Sequence, residues 1–298
     1  MFGNASHEDK YGSQILLLLL LLLLGFLLSA GLTSAVALFG VDITAAGNMM
    51  WLQGLMQVVT FLLPAVLVAF VYYAHPRAFL QLDVKGYAWL LGLAGCCIML
   101  LVSPLNSWLT TWNDGWHFAA AMQPIEQALR QASEKSQQVM ESFLMMHGVG
   151  ALLANLLVVA LVPAVCEEFL FRGCLQQILV RWMRRPHIAI VLTAIIFSFA
   201  HGDVFAFLPR FFLGLVLGYL FHCSGSIVVD ICAHFFNNAL VVVCYYVYGA
   251  GVTDVNLAEW TSYPWWSVVV CTAVAMVLFW RVFLKNRKRY TGGKPSCR

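Results

Sequence analysis

Between Gln14 and Leu284 the chain is a series of long apolar runs separated by short polar breaks, at about 14–40, 50–74, 86–104, 143–180, 187–201, 204–222, 225–248 and 264–284. A bilayer core about 30 Å thick is crossed by about 20 helical residues. Within it every backbone N–H and C=O must be paired inside the segment or around a closed barrel. Runs of this length therefore predict an all-α, polytopic bundle of about eight transmembrane helices. Composition agrees, with 61% hydrophobic and 10% charged residues and a mean hydropathy of +0.82, more than a water-soluble core needs. A net charge of +3 is too small to suggest a nucleic-acid partner, and none is expected. The nine cysteines, among them Cys96, Cys97, Cys166, Cys232, Cys244 and Cys271, lack the spacing of a disulfide framework or zinc ribbon and read as small buried hydrophobes.

The first run is too long for a signal-peptide core and has no Ala-x-Ala site close behind it, so it reads as an uncleaved span whose leucines face lipid. Lysine and arginine set the orientation. With the N-terminus inside, inner segments hold Lys10, Arg77, Lys85, Arg181, Arg184, Arg185, Arg281, Lys285, Arg287, Lys288, Arg289, Lys294 and Arg298, against only Arg130 and Lys135 outside. The positive-inside rule then predicts both termini cytoplasmic, with the basic tail facing anionic lipid. Three parts are expected: residues 1–142 with three spans and an interfacial loop (105–142), a core at 143–248 with spans four to seven, and 249–298 with the last span and tail. The loop carries Trp108, Trp112 and Trp116, then a Pro124-led segment with Ile125, Leu129, Ala132 and Met140 near helical spacing, as an interfacial amphipathic helix would. No internal repeat relates the two halves, against most secondary-transporter plans.

The chemistry concentrates where charge enters the fourth run, at Cys166-Glu167-Glu168-Phe169-Leu170-Phe171-Arg172. Ionisable groups at bilayer depth point to function and to a partner. Glu168 and Arg172 are four apart and pair on one helix face, whereas Glu167 is turned about 100° away and left as the working carboxylate. A buried ion pair that fixes helix packing is the plain alternative. Two further polar positions lie at similar depth. Counted at ~1.5 Å per residue from the inner ends, Glu167, His201 and Asn238 fall at roughly 20 Å and His234 at roughly 14 Å. Convergence on one site explains that shared level better than independent packing does.

A carboxylate, two imidazoles and a carboxamide suit hydrolysis of an amide. Glu167 with His201 would take a proton from water, and His234 with Asn238 would hydrogen-bond the tetrahedral oxyanion. Glu167, His201 and His234 also match a His2Glu zinc set, so metal-free and zinc-assisted versions both stay open. No Gly-x-Ser-x-Gly turn or His-Glu-x-x-His is present. Arg210 is expected to balance charge inside the bundle, Asp230 either to orient His234 or to be solvated, and Asp203 to be a loop residue.

In Glu167-Glu168 with Arg172, Phe197 with His201, and His234 with Asn238, the sequence resembles the CPBP family of CAAX proteases and bacteriocin-processing enzymes, also called Abi or type II CAAX prenyl endopeptidase-like proteins. The motifs cover about residues 143–245. The resemblance implies an eight-helix-type intramembrane endopeptidase, often labelled a metalloprotease. Its first glutamate (Glu167) and first histidine (His201) would activate water, while His234 and Asn238 form the oxyanion hole and Arg172 holds Glu168. It implies a peptide or protein substrate, lipidated or membrane-bound, and a multi-pass location in a bacterial inner membrane. Two other classes compete: a non-catalytic membrane scaffold or immunity protein, and a proton-coupled transporter using Glu167 and the histidines as a relay.

Overall fold

The computed structural model describes residues 10–83 and 87–285. Lys85 and the basic residues from Arg287 to Arg298 lie outside them. Most described residues are helical, and none lies in a strand. The principal helices are α1 (Tyr11–Leu38), α2 (Ala46–Tyr72), α3 (Ala88–Asp114), α4 (Gln123–Leu144), α5 (Val149–Met183), α6 (Pro186–Ala200), α7 (Val204–Ser224), α8 (Ile227–Gly249) and α9 (Trp265–Leu284). Among the described residues, seven are long and apolar enough to cross a membrane: all but α4 and α6. The eightfold expectation thus becomes seven long spans plus α6, whose 15 residues reach roughly 22 Å, short of the hydrocarbon core. Gly202, at φ +69°, ends it. A glycine in the left-handed region just past the last turn closes a helix at little steric cost, and its N–H donates back to Phe199 O at 3.0 Å.

The end of the third span also moves, from about 104 to Asp114: α3 continues past Pro104, which sits inside it, through Trp108 and Trp112. Neighbouring helices make such prolines tolerable in membrane bundles. Pro64 and Pro163 are each preceded by a turn with i→i+5 bonding, at Val58–Leu62 and Leu156–Leu161. A proline cannot donate to the carbonyl behind it and crowds it, and the wider turn absorbs that misfit.

Lipid tails are as apolar as leucine, so helices in a bilayer associate through close packing and polar contacts rather than through the hydrophobic effect. α1 follows this rule. Its leucines point outward, Leu20 being 54% exposed, while Gln14, Leu18, Gly25 and Ser29 form its buried face. Gln14 Oε1 accepts from the Tyr73 hydroxyl at 2.8 Å, and Ser29 meets Thr60 at 3.1 Å. A Cβ on Gly25 would lie 2.9 Å from Thr60 Cα. The helix at the centre is α5: one cluster of buried side chains joins it to α1 and α2 through Leu18, Val68, Leu170 and Ile178, and another joins it to α4 and the start of α2 through Met50, Phe143 and Val158.

The segment led by Pro124 is α4, and its inward face carries charge. Glu126 accepts from Phe118 N–H at 2.7 Å, from Arg130 Nε at 3.1 Å, and pairs with His117 Nδ1 at 2.9 Å. Arg130 also donates to the carbonyls of Asp114 and Trp116 and lies 3.9 Å above the Phe205 ring. The end of α3 completes this clasp, since Asn113 donates to Val204 O and accepts from Leu208 N–H. Ile125, 52% exposed, lies on the uncovered side.

Two outcomes follow from these contacts. Gly25→Leu forces α1 off the backbone of α2 and should lower stability by about 1–3 kcal/mol, seen as an earlier thermal transition in detergent; Leu20→Ala should leave that transition in place. The Phe118 amide, then the His117 and Arg130 side chains, hold the Glu126 carboxyl down to about 2. Because the folded value is depressed, the stability Glu126 contributes is present above the ordinary carboxylate range and is lost as pH falls toward 2. Hydrogen exchange of peptides spanning 113–130, corrected for intrinsic rates, should stay protected from pH 7 to 5 and open below 4. Glu126→Gln should be open already at pH 7.

Candidate active site

The site forms where α5, α6 and α8 converge. α5 is α-helical through Val162–Glu168 and passes at Phe169–Gln176 into a stretch of i→i+5 bonding, a local irregularity that recurs at functional positions in helices. Glu167 and Glu168 stand at that junction, both buried. The expected pair forms: Arg172 Nη1 donates to Glu168 Oε1 at 2.9 Å, and neither side chain is exposed. Arg172 Nη2 donates to Gly214 O at 3.2 Å, and one turn on Gln176 Nε2 donates to Gly218 O at 3.0 Å. These two rungs tie α5 to α7.

The same Glu168 oxygen takes a second bond that the sequence did not disclose. His234 Nδ1 lies 2.7 Å from it, so with a proton on Nδ1 the ring donates to a carboxylate that Arg172 already neutralises. His201 is fixed similarly, its Nδ1 2.8 Å from Phe197 O. A carbonyl oxygen only accepts, so His201 carries its proton on Nδ1. Both rings then present Nε2 to Glu167, whose Oε2 is 3.9 Å from Nε2 of His201 and 3.9 Å from Nε2 of His234. Phe197 packs between them, with its ring centroid 4.8 Å from that of His201, 6.2 Å from that of His234, and 4.6 Å from Arg172 Cζ. His201 is the most open of the group at 29% side-chain exposure, against 8% for Glu167.

Six of the residues singled out in the sequence are thus brought together: Glu167, Glu168, Arg172, Phe197, His201 and His234. Asn238 lies one turn beyond His234 on α8, and its Oδ1 accepts from Asn237 Nδ2 at 3.3 Å; among the described residues it makes no hydrogen bond to the cluster. Two neighbours, Asp230 and Asp203, differ from expectation. Asp230 neither orients His234 nor meets solvent: it is fully buried, and neither oxygen has a hydrogen-bond partner among the described residues. Asp203 is more than a loop residue, since it accepts from Phe205 N–H at 3.1 Å and pairs with Arg210 at 3.3 Å. Arg210 therefore balances Asp203 first.

The zinc set fits poorly. Tetrahedral donors on bonds of ~2.0–2.1 Å stand about 3.3 Å apart, and Glu167 is 3.9 Å from each histidine. Among the described residues, no three His, Cys, Asp or Glu side chains are disposed to hold a metal ion. A carboxylate facing two ring nitrogens just beyond hydrogen-bond range is instead suited to a molecule held between them, with protons exchanged among the three.

Residues 149–240, from the start of α5 to just past Asn238, match the family model of the Rce1-like type II CAAX prenyl endopeptidases. The chain carries an Rce1-like domain. It contains every residue of the cluster and leaves α1 to α4 and α9 outside. No curated protein and no solved structure matches the chain. The Rce1-like family implies a protease acting on a protein or peptide. With seven long apolar helices, the domain sits in an integral, multi-pass membrane protein.

Pairing separates the roles of the two glutamates. Glu167→Gln should keep the thermal transition of the purified protein within about 2 °C, whereas Arg172→Leu strips Glu168 of its ion-pair partner in the interior. Breaking a buried pair from one side costs about 3–5 kcal/mol, so that variant should unfold far earlier or fail to accumulate in membranes.

Proposed function

We propose that the protein is a CAAX-protease-like intramembrane endopeptidase of the CPBP type, in which Glu167 and His201 activate water and His234 with Asn238 stabilises the oxyanion. The observation that carries this reading is Glu167 Oε2 standing 3.9 Å from Nε2 of both histidines. A water bonded to Glu167 lies within reach of His201 Nε2, which is free to accept a proton because Nδ1 is committed to Phe197 O. The hydroxide so formed adds to the carbonyl carbon of the scissile peptide. Negative charge develops on the carbonyl oxygen, and His234 meets it only if Nε2 carries a proton.

Glu168 supplies the direction: it holds Nδ1 of His234, so Nε2 is the ring atom turned toward the oxyanion, beside the Asn238 carboxamide. Collapse of the intermediate breaks the C–N bond, and the proton gathered from water passes to the leaving amine. Glu168, Arg172 and Phe197 act as positioning residues. The substrate in this reading is a membrane-bound or lipidated protein cut within a multi-pass bacterial membrane enzyme, both termini of which face the cytoplasm.

Comparison of membrane proteomes from cells carrying wild type and Glu167→Ala tests the reading. Uncut precursors should accumulate with the variant, and purified wild type should cleave them at least a hundredfold faster than Glu167→Ala or His201→Ala. Full biological activity in Glu167→Ala would sink hydrolysis and leave a scaffold. Solute flux in liposomes that His201→Ala abolishes, with no peptide cut, would make the protein a transporter.

A further inference from the structure

Asp230 stands four residues before His234 on α8, and the reaction written above does not use it. α5 and α8 pass each other in opposite directions: His234 meets Glu168, and nearer the start of α8 a Cβ on Gly173 would meet Ile227 Cδ1 at 3.0 Å. One turn from His234 toward Ile227 therefore brings Asp230 level with Arg172, itself one turn from Glu168. Asp230, Arg172 and Glu168 are all fully buried, and each keeps a polar atom unused. Arg172 donates through Nη1 to Glu168 and through Nη2 to Gly214 O, while its Nε has no partner among the described residues. Glu168 commits Oε1 to Arg172 and His234, and its Oε2 is unpaired, as are both oxygens of Asp230. The charges of Glu168 and Arg172 are nonetheless felt at Asp230. Buried polar atoms left without partners are costly, and where they collect beyond direct reach of one another an interior water joins them, making about three hydrogen bonds.

We propose that Asp230 is a positioning residue for the reaction, which through one bound water anchors Arg172 Nε and the second oxygen of Glu168. The proposal rests on the endopeptidase reading and adds to it a residue that none of the three motifs contains. Water has the matching set of bonds: it accepts from the Nε–H and donates one hydrogen to Glu168 Oε2 and the other to Asp230. Asp230 has no bond to the His234 ring; its hold is on the carboxylate that the ring leans on. With Oε1 alone engaged, that carboxylate is free to pivot, and the imidazole bonded to it pivots too. Nε2 of His234 then loses its aim at the place where the oxyanion forms. Because that bond is made in the transition state and not in the bound substrate, the loss falls on kcat and spares KM.

The test uses full-length protein in liposomes and a library of internally quenched peptides, with and without an S-farnesyl cysteine. It reads kcat, KM, the thermal transition and the ring-nitrogen spectrum of protein carrying nitrogen-15 histidine, in which His234 is assigned by its loss in His234→Gln. Asp230→Ala should lower kcat about tenfold, the equivalent of one hydrogen bond, with KM kept and the thermal transition no lower. The His234 signals should shift or broaden, while those of His201, held from α6 by Phe197 O, stay in place. Asp230→Asn keeps an acceptor of the same shape and should return kcat to within about threefold of wild type. If the wild type cuts peptides and Asp230→Ala equals it in kcat with the His234 signals unmoved, the positioning role is wrong and the endopeptidase reading survives. A kcat that falls only with the fraction of folded protein makes Asp230 a packing residue, and one that Asp230→Asn fails to restore assigns the effect to charge; either overturns the proposal. If the wild type cuts no peptide in the library, the endopeptidase reading falls and the role of Asp230 in it falls too.

Discussion

The bundle depends on one oxygen atom. Glu168 Oε1 accepts from Arg172 at 2.9 Å and faces His234 Nδ1 at 2.7 Å, in surroundings that exclude solvent. Charges at this depth are expensive to desolvate, and a pair recovers that cost only with good geometry and further hydrogen bonds. Here the carboxylate joins α5 to α8, and the guanidinium goes on to the Gly214 carbonyl of α7. A Cβ on Gly214 would meet Ala194 at 3.1 Å, so α6 and α7 also lie as close as backbones allow. Four helices are thereby set relative to one another around a single ion pair, and both imidazoles inherit their orientation from that arrangement.

Residues that share a helix face could be read from spacing, which is why Glu168 with Arg172 and the register of His234 with Asn238 were visible in the chain. Depth could be read as well, because the ruler of helical rise brought Glu167 and His201 to one level. What spacing cannot carry is contact between helices. The bond from His234 to Glu168 spans 66 positions and depends on how α8 is turned about its own axis, a property fixed by packing against α3 and α5. Asp230 shows the same limit. One turn from His234, it seemed placed to hold that ring, but Glu168 occupies the nitrogen.

Local irregularities were also beyond the pattern of apolar residues. Hydropathy sums over a window, so it registered the fourth run as apolar and missed the change of hydrogen-bond register at Phe169. It ended the third run near 104, whereas α3 continues through Pro104 to Asp114, because neighbouring helices in a bundle relieve the penalty that proline carries in a water-exposed helix. The polar stretch after α3 was legible as a helix because its apolar residues recur. Its inner face is nevertheless set by Glu126 and Arg130, whose partners are His117 and Phe118 of an irregular segment and Phe205 in the first turn of α7.

The brevity of α6 has a consequence for the membrane itself. Beside helices of 27 and 35 residues, one of roughly 22 Å leaves a hydrophobic mismatch of roughly 8 Å against the bilayer core. Lipid answers such a mismatch by thinning. Here the chain that follows is held by protein contacts, since Asn113, Phe118 and Arg130 grip Val204 and Phe205, the first residues of α7. The end of α6, with His201 beside it, therefore borders a clasp of polar and aromatic side chains, and the mismatch is met at least on that side by protein and not by lipid alone.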